Sequence, residues 1–189
     1  MSLDRPAIVQ AALDLLDEVG IEGLSTRRLA AKLGIRGPSL YWHFKSKREL
    51  LDHMAEAMLF EALPAPPVTL GQDFDRRVWL ATGARGIRLA ALSRRDGGQV
   101  LAGAKPTGTH PTLSFAAMVG VLVRTGMTPQ DGMTVLQVLG RYAVGWALYE
   151  QAAEPGDGAS SETGFEFGLQ ALLQGIEDKM SSEQSLALA

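Results

Sequence analysis

A chain of 189 residues with 46% hydrophobic and 21% charged residues has room for a small domain and a larger one and is too apolar to be intrinsically disordered. Its formal net charge of -3 means that any anion-binding surface is local rather than spread over the whole molecule. The absence of cysteine excludes disulfides and thiolate metal sites. No apolar run reaches the ~18 to 20 residues of a membrane helix and no basic-then-apolar leader opens the chain, so a cytoplasmic protein without a membrane partner is expected.

In chain order, PAIVQAALDLLDEVG sets Ile8, Ala12, Leu15, Leu16 and Val19 on one stripe at helical spacing. The next stretch, STRRLAAKLGIRGPSLYWHFKSKR over 25–48, carries Arg27, Arg28, Lys32, Arg36, Lys45, Lys47 and Arg48 and no acid. Ser25 or Thr26 can cap a short helix with Leu29, Ala30 and Leu33 on one face. Gly34 ends it, because glycine alone enters the left-handed region without steric cost. Pro38 suits the first turn of a second helix over 39–44. Two short helices about a glycine turn make a helix-turn-helix, and residues 47–63 read as a longer amphipathic helix with Leu50, Met54, Ala57 and Met58 inward. Ser39, Tyr41 and His43 are suited to phosphate oxygens and base edges. Tyr41 and Trp42 are adjacent, so at least one of them faces solvent.

The sequence LPAPPVTLG over 63–71 stops that helix with three prolines. Beyond it, residues 72–93 read as a helix with Phe74, Val78, Ala81, Ile87 and Leu92 on its apolar side and Arg76, Arg77, Arg85 and Arg88 outward. Asp96, Gly97 and Gly98 read as a turn, and Pro106, Gly108 and Pro111 break the chain again. Helices are expected over 112–125, over 129–153 behind a Thr128 cap and Pro129, and over 162–180. Residues 154–162 read as a loop, and the tail from 181 carries no prediction. Gly132, Gly140 and Gly145 sit among Val135, Leu139, Val144, Trp146 and Leu148 in the long helix. Apolar residues on nearly every side of it, with Phe165, Phe167, Leu169, Leu172, Leu173 and Ile176 in the last helix, predict a four-helix interface between two copies; burial within one chain is the alternative.

Enzyme chemistry finds no support. His43, His53 and His110 lack metal-ligand spacing, and there is no GxSxG elbow or phosphate-binding glycine loop. No metal and no cofactor is expected. A helical dimeric ligand-binding or scaffold protein without specific DNA function would explain residues 72–180 but not the acid-free basic stretch. Binding to duplex DNA that weakens steeply with salt discriminates the two.

Residues 4–62, especially ALDLLDEVGIEGLSTRRLAAKLGIRGPSLYWHFKSKRELLD, resemble the DNA-binding domain of the TetR family of bacterial transcriptional regulators, most closely its tetracycline-sensing members. The resemblance implies an all-α protein: a helix-turn-helix domain over 4–46, a connecting helix over 47–63, a proline-rich linker over 64–71, and a ligand-binding and dimerisation domain over 72–180. It further implies a repressor that binds a palindromic double-stranded DNA operator as a homodimer and answers to a small-molecule effector. The implied DNA-binding residues are Thr26, Arg27, Arg36, Gly37, Pro38, Ser39, Tyr41, Trp42, His43 and Lys47. Where the tetracycline-sensing members carry a glutamine that can read adenine, this chain has Gly37 after Arg36, which can read guanine instead.

A weaker resemblance runs through ALSRRDGGQVLAGAKP into the long helix. Aligned on Arg95, Asp96, Gly97 and Pro106, the family's magnesium-binding histidine falls at Leu101 and the glutamate that completes that site at Tyr149. Its drug-gripping asparagine and histidine fall at Gly83 and Leu63, a contacting phenylalanine at Ile87 and a glutamine at Ala117. The Lys105–Pro106 pair keeps the character of arginine and proline. The implied pocket is therefore Leu63, Gly83, Ile87, Leu101, Ala104, Lys105, Pro106, Ala117 and Tyr149, with Trp79, Phe115, Met118 and Trp146 as further neighbours. It suits a largely apolar effector other than tetracycline–magnesium, with Lys105 or Tyr149 available to hold an anionic or carbonyl group.

Overall fold

The computed structural model describes residues 4–105, 107–110, 114–153 and 162–187, with the backbone alone for 183–187. The expected breaker residues Pro106 and Pro111, the start of the helix expected over 112–125, and the loop over 154–161 lie outside the described residues. Among those described, the fold is all α.

Helix α1 (Arg5–Gly23) starts where the Asp4 carboxylate accepts the Ala7 N–H at 3.0 Å. Its buried stripe includes Ile8, Ala12, Leu15 and Leu16, and the helical path breaks at Gly20, whose φ of 71° suits glycine. Ser25 caps α2 (Thr26–Lys32) by accepting the Arg28 N–H. Gly34, at φ 66°, turns the chain, and the Ile35 N–H donates back to Ala30 O at 3.0 Å, closing α2 with a left-handed glycine cap. Helix α3 (Gly37–Leu40) is shorter than the 39–44 expectation and starts earlier. Pro38 opens it, while Leu40 and Phe44, both buried, anchor the ends of the following turn. Ser46 then caps α4 (Lys47–Ala62), and Glu49 reaches back to the Lys45 N–H at 2.6 Å, much as a capping box does.

Helix α5 (Arg76–Leu92) begins at an Asp75 cap rather than at residue 72. The expected turn at Asp96 to Gly98 is instead the start of a short helix, α6 (Gly97–Gly103). Asp96 sits in the left-handed region at φ 55°, and a Cβ at Gly97 would collide with the Ala91 carbonyl. Helix α7 (Phe115–Arg124) is capped by Ser114, and α8 (Pro129–Ala152) by Thr128 as the sequence suggests. Helix α9 (Glu162–Ala187) runs past residue 180, where the sequence offered no prediction.

Two apolar clusters organise these helices. The first joins α1, α2, Leu40, Phe44 and α4 to Ala90 of α5 and Val100 of α6. The second joins Leu80, Ala81 and Ala84 of α5 to α8 and to Phe165, Leu169 and Leu173 of α9. Helix α5 thus belongs to both clusters at its two ends. The expectation that α8 is apolar on nearly every side resolves into a buried stripe of Gly132, Val135, Leu139, Ala143 and Ala147, with Val138 and Tyr149 exposed.

Two expectations about α5 fail. Val78, expected on the apolar side, is 59% exposed, because the buried face runs through Leu80, Ala81 and Ala84. Arg88 does not face outward: its guanidinium makes two hydrogen bonds to Glu150, at 2.9 and 2.6 Å, with side-chain exposures of only 14% and 4%. A long side chain that ends on a carboxylate reads the same in sequence as one that ends in water.

Candidate DNA interface and effector cavity

The segment from α2 to the start of α4 presents cations in two ways. Some are held: the Arg28 guanidinium donates to Gly23 O, Lys32 pairs with Glu18, Arg48 pairs with Asp52, and Lys47 Nζ donates to Ile21 O at 3.2 Å. The side chains of Arg27, Arg36 and Lys45 are exposed and make no ion pair or hydrogen bond among the described residues. Tyr41 is 56% exposed and Trp42 88%. Both aromatics therefore face outward, although the sequence required only one to do so. Buried Leu40 and Phe44 on either side of them explain why, since these two occupy the core positions of the turn. Pro38 is exposed, while Thr26, Gly37, Ser39 and His43 are half-buried. A surface with unpaired cations and two exposed amphipathic aromatics can hold phosphate and stack on sugar.

The C-terminal end of α1 is tied to the segment before α6 by a cluster of hydrogen bonds. The Ile21 N–H donates to Asp96 Oδ2 at 2.8 Å, the Arg95 N–H and the Arg94 guanidinium donate to the Asp17 carboxylate, and the Arg95 guanidinium donates to Glu18 O. A Cβ on Gly20 would stand 2.8 Å from Asp96 Oδ2. The broken end of α1 and the left-handed Asp96 therefore form one joint.

A cavity of about 60 Å³ lies between α5, α8 and the segment after α4. Leu63, Gly83 and Ile87 from the expected pocket line it, as do Trp79 and Met118. The other expected residues stand elsewhere. Leu101 and Ala104 pack against the first cluster, and the exposed Lys105 donates its N–H to Asp52 at 2.9 Å. Ala117 sits in the first turn of α7, its N–H on Ser114 Oγ; Tyr149 is 64% exposed, and Pro106 lies outside the described residues. Pro64, Pro66, Leu80, Ala84, Leu136, Leu139 and Gly140 also line the cavity and were not singled out for it from sequence. Only three of them carry a legible signal: Pro64 and Pro66, which close a helix, and Gly140, a glycine in mid-helix.

Charge on the α5 side is internally satisfied. Arg85 donates to both oxygens of Glu166 at 2.7 Å, a bond that raises the Arg85 pKa and lowers that of Glu166. The Arg88 pKa is raised by its hydrogen bonds to Glu150, and its guanidinium lies 5.0 Å from the centre of the Phe165 ring. Burial pushes the Tyr142 hydroxyl up; it donates to Phe165 O at 2.8 Å.

Residues 8–54 match the family described as bacterial regulatory proteins, tetR family, and residues 67–164 match the tetracyclin repressor-like C-terminal domain. The tetracycline repressor protein class A from transposon 1721 of Escherichia coli is 39% identical over 180 residues, covering 93% of this chain and 80% of that protein. A solved structure of class A TetR with 5a,6-anhydrotetracycline and magnesium has a TM-score of 0.76 at 38% identity, over 93% of this chain and 99% of that one. A structure of BioQ with its natural double-stranded DNA operator has a TM-score of 0.69 at 29% identity, over 93% of this chain and 98% of that one.

Magnesium accompanies the drug in the class A structure. Among the described residues no group of three His, Cys, Asp or Glu side chains is gathered to hold a metal, and no carboxylate or imidazole lines the cavity. The described residues therefore offer no ready-made site for a bare hard cation, which takes oxygen ligands. With matches to both family domains and 39% identity to a repressor of which it covers four fifths, the chain belongs to the TetR family of DNA-binding, non-enzymatic transcriptional repressors.

Proposed function

We propose that this repressor binds a palindromic operator as a homodimer and is released by a small, largely apolar effector that enters the cavity between α5 and α8. The observation that carries the proposal is the makeup of the cavity wall. Leu63, Pro64 and Pro66 line it, and Leu63 is the C-cap of α4, the helix whose first residues are Lys47 and Arg48 of the basic stretch. A molecule that widens the cavity pushes on the end of the helix that carries the DNA segment.

The seat of that helix is tight. A Cβ on Gly86 would lie 2.7 Å from Leu63 Cδ2 and 3.0 Å from Ala62 O, so α4 rests on the backbone of α5 with no slack. Displacement at residue 63 therefore moves α4 as a rod rather than being absorbed locally. In a dimer, operator half-sites lie about one helical turn, ~34 Å, apart, and a shift of α4 in both protomers costs contacts in both. A coupling of about 1 to 3 kcal/mol changes operator affinity roughly 5- to 150-fold. Exposed Phe167 on α9 and Val138 and Tyr149 on α8 support an interface built from these two helices.

Operator release is the direct experiment. A duplex chosen by selection from random sequences should bind with a steep salt dependence, and tetracycline with magnesium should release it poorly or not at all. Micromolar release that depends on magnesium would refute the effector class proposed here. For the dimer, Phe167→Glu should give monomers in sedimentation and abolish operator binding; a monomer with native operator affinity would contradict the proposal. Leu139 is the wrong place for that charge, because it is buried within the chain and lines the cavity.

A further inference from the structure

Glycines in the helices fall into two kinds. At Gly86, Gly97 and Gly168 an added Cβ would strike Leu63, Ala91 or Tyr142, so close packing accounts for them. At Gly145, Gly175, Gly83 and Gly140 a Cβ would meet nothing within 4 Å, and the cavity accounts for the last two, Gly83 and Gly140. Both stand inside long helices, α5 and α8, where glycine is the weakest helix former after proline. Both also line the cavity. They keep open a space that no protein atom uses, at a cost in helix stability on two separate elements.

The chemistry of that space is restrictive. Among the described residues no Asp, Glu, Lys, Arg or His side chain lines it, and the one side-chain nitrogen or oxygen in its wall is on the Trp79 indole. A charged group entering would lose its water and find no counter-ion. Lys105 and Tyr149, the residues expected to hold an anion, do not line the cavity. Trp79 puts an aromatic side chain in the wall, against which a second ring can pack. The volume of about 60 Å³ falls below the ~150 Å³ apolar cavity that admits benzene in an engineered protein. A ring therefore enters only as the wall of Leu63, Pro64 and Pro66 yields.

From these observations we infer that the effector is an uncharged apolar ring compound and that Gly83 and Gly140 set the size it can have. The inference rests on the effector reading of this cavity given above. Each glycine holds back one methyl group's worth of protein exactly where the ring needs room, so alanine at either position competes with the ring for the same volume.

The test uses the full chain, a labelled operator duplex chosen by selection, and three probes: naphthalene, its carboxylate 2-naphthoate, and tetracycline with magnesium. Thermal melting and operator release are followed for the native chain and for Gly83→Ala and Gly140→Ala. Naphthalene is expected to raise the melting temperature and release the operator, with 2-naphthoate weaker by about tenfold or more. Each alanine variant should melt at or above the native temperature. Each should need about tenfold more naphthalene, the scale set by one misplaced methyl group in an apolar pocket. The inference is overturned if naphthalene changes neither readout, if 2-naphthoate matches it, if the variants respond like the native chain, or if they melt lower. Release by tetracycline–magnesium alone overturns the ring-compound inference and leaves a ligand-released repressor standing. Failure to select any duplex strikes the repressor reading itself.

Discussion

Two stretches of this chain are equally basic and end up doing different things. Residues 25–48 carry seven cations and no acid, and residues 76–95 carry Arg76, Arg77, Arg85, Arg88, Arg94 and Arg95 and no acid. In the second stretch every arginine is used inside the molecule. Arg76 donates to Thr125 O, Arg77 pairs with Glu177, Arg85 with Glu166, Arg88 with Glu150 and Arg94 with Asp17, while Arg95 donates to Glu18 O. In the first, Arg27, Arg36 and Lys45 have no such partner among the described residues. Local charge does not mark an anion-binding surface; charge left without an internal counter-ion does.

That contrast breaks or holds on four measurements. The largest effect is expected for Arg88→Ala. Removing one member of a partly buried, doubly hydrogen-bonded ion pair costs about 1.5 to 3 kcal/mol, so the melting temperature should fall, whereas Arg36→Ala should change stability by no more than about 0.5 kcal/mol. Equal stability losses would erase the distinction between the two stretches. Next, Arg36→Ala should cost about 1 to 3 kcal/mol of operator affinity and relax preference at one position of each half-site. An unchanged selected sequence would make Arg36 a surface or phosphate residue. Lys47→Ala should act more evenly, weakening all duplexes alike and flattening the salt slope by about one unit; an unchanged slope would mean that its bond to Ile21 O is its whole role.

The smallest effect concerns Glu166. Its folded-state pKa is lowered by the hydrogen bonds from Arg85, so its contribution to stability is present above the ordinary carboxylate value of 4.5 and is lost as pH falls through the lower folded value. The pair is partly exposed, and its contribution is correspondingly small. Glu166→Gln should make stability less dependent on pH below that point while leaving operator binding at neutral pH unchanged. Denaturant melts across the acid range measure it, and an unaltered acid slope would remove this pair from the balance.

Much of the fold was legible because its signals are local. Caps at Ser25 and Thr128, the glycine turn at Gly34, the proline stop after residue 63 and the stripe of Ile8, Ala12, Leu15 and Leu16 all act within one or two helical turns. The errors have a common cause as well. The short helix α3, the helix hidden behind Asp96 and the inward turn of Arg88 depend on partners far along the chain: Leu40 and Phe44 on the first cluster, Asp96 on Ile21, Arg88 on Glu150. The candidate cavity was only partly readable. Leu63, Gly83 and Ile87 line it, but Leu101, Ala104 and Lys105 follow α6 toward α4 instead.

By itself the sequence determined an all-α chain, the place of its helix-turn-helix and the residues from which a DNA surface can be built, since hydrophobic spacing, capping and backbone permissiveness are properties of neighbours in the chain. Only the tertiary structure decided which cations stay unpaired, which mid-helix glycines face empty space and which end of α4 forms the cavity wall. Those outcomes depend on what a side chain meets across the core, and a carboxylate sixty residues away leaves no mark on the local sequence of the arginine it binds.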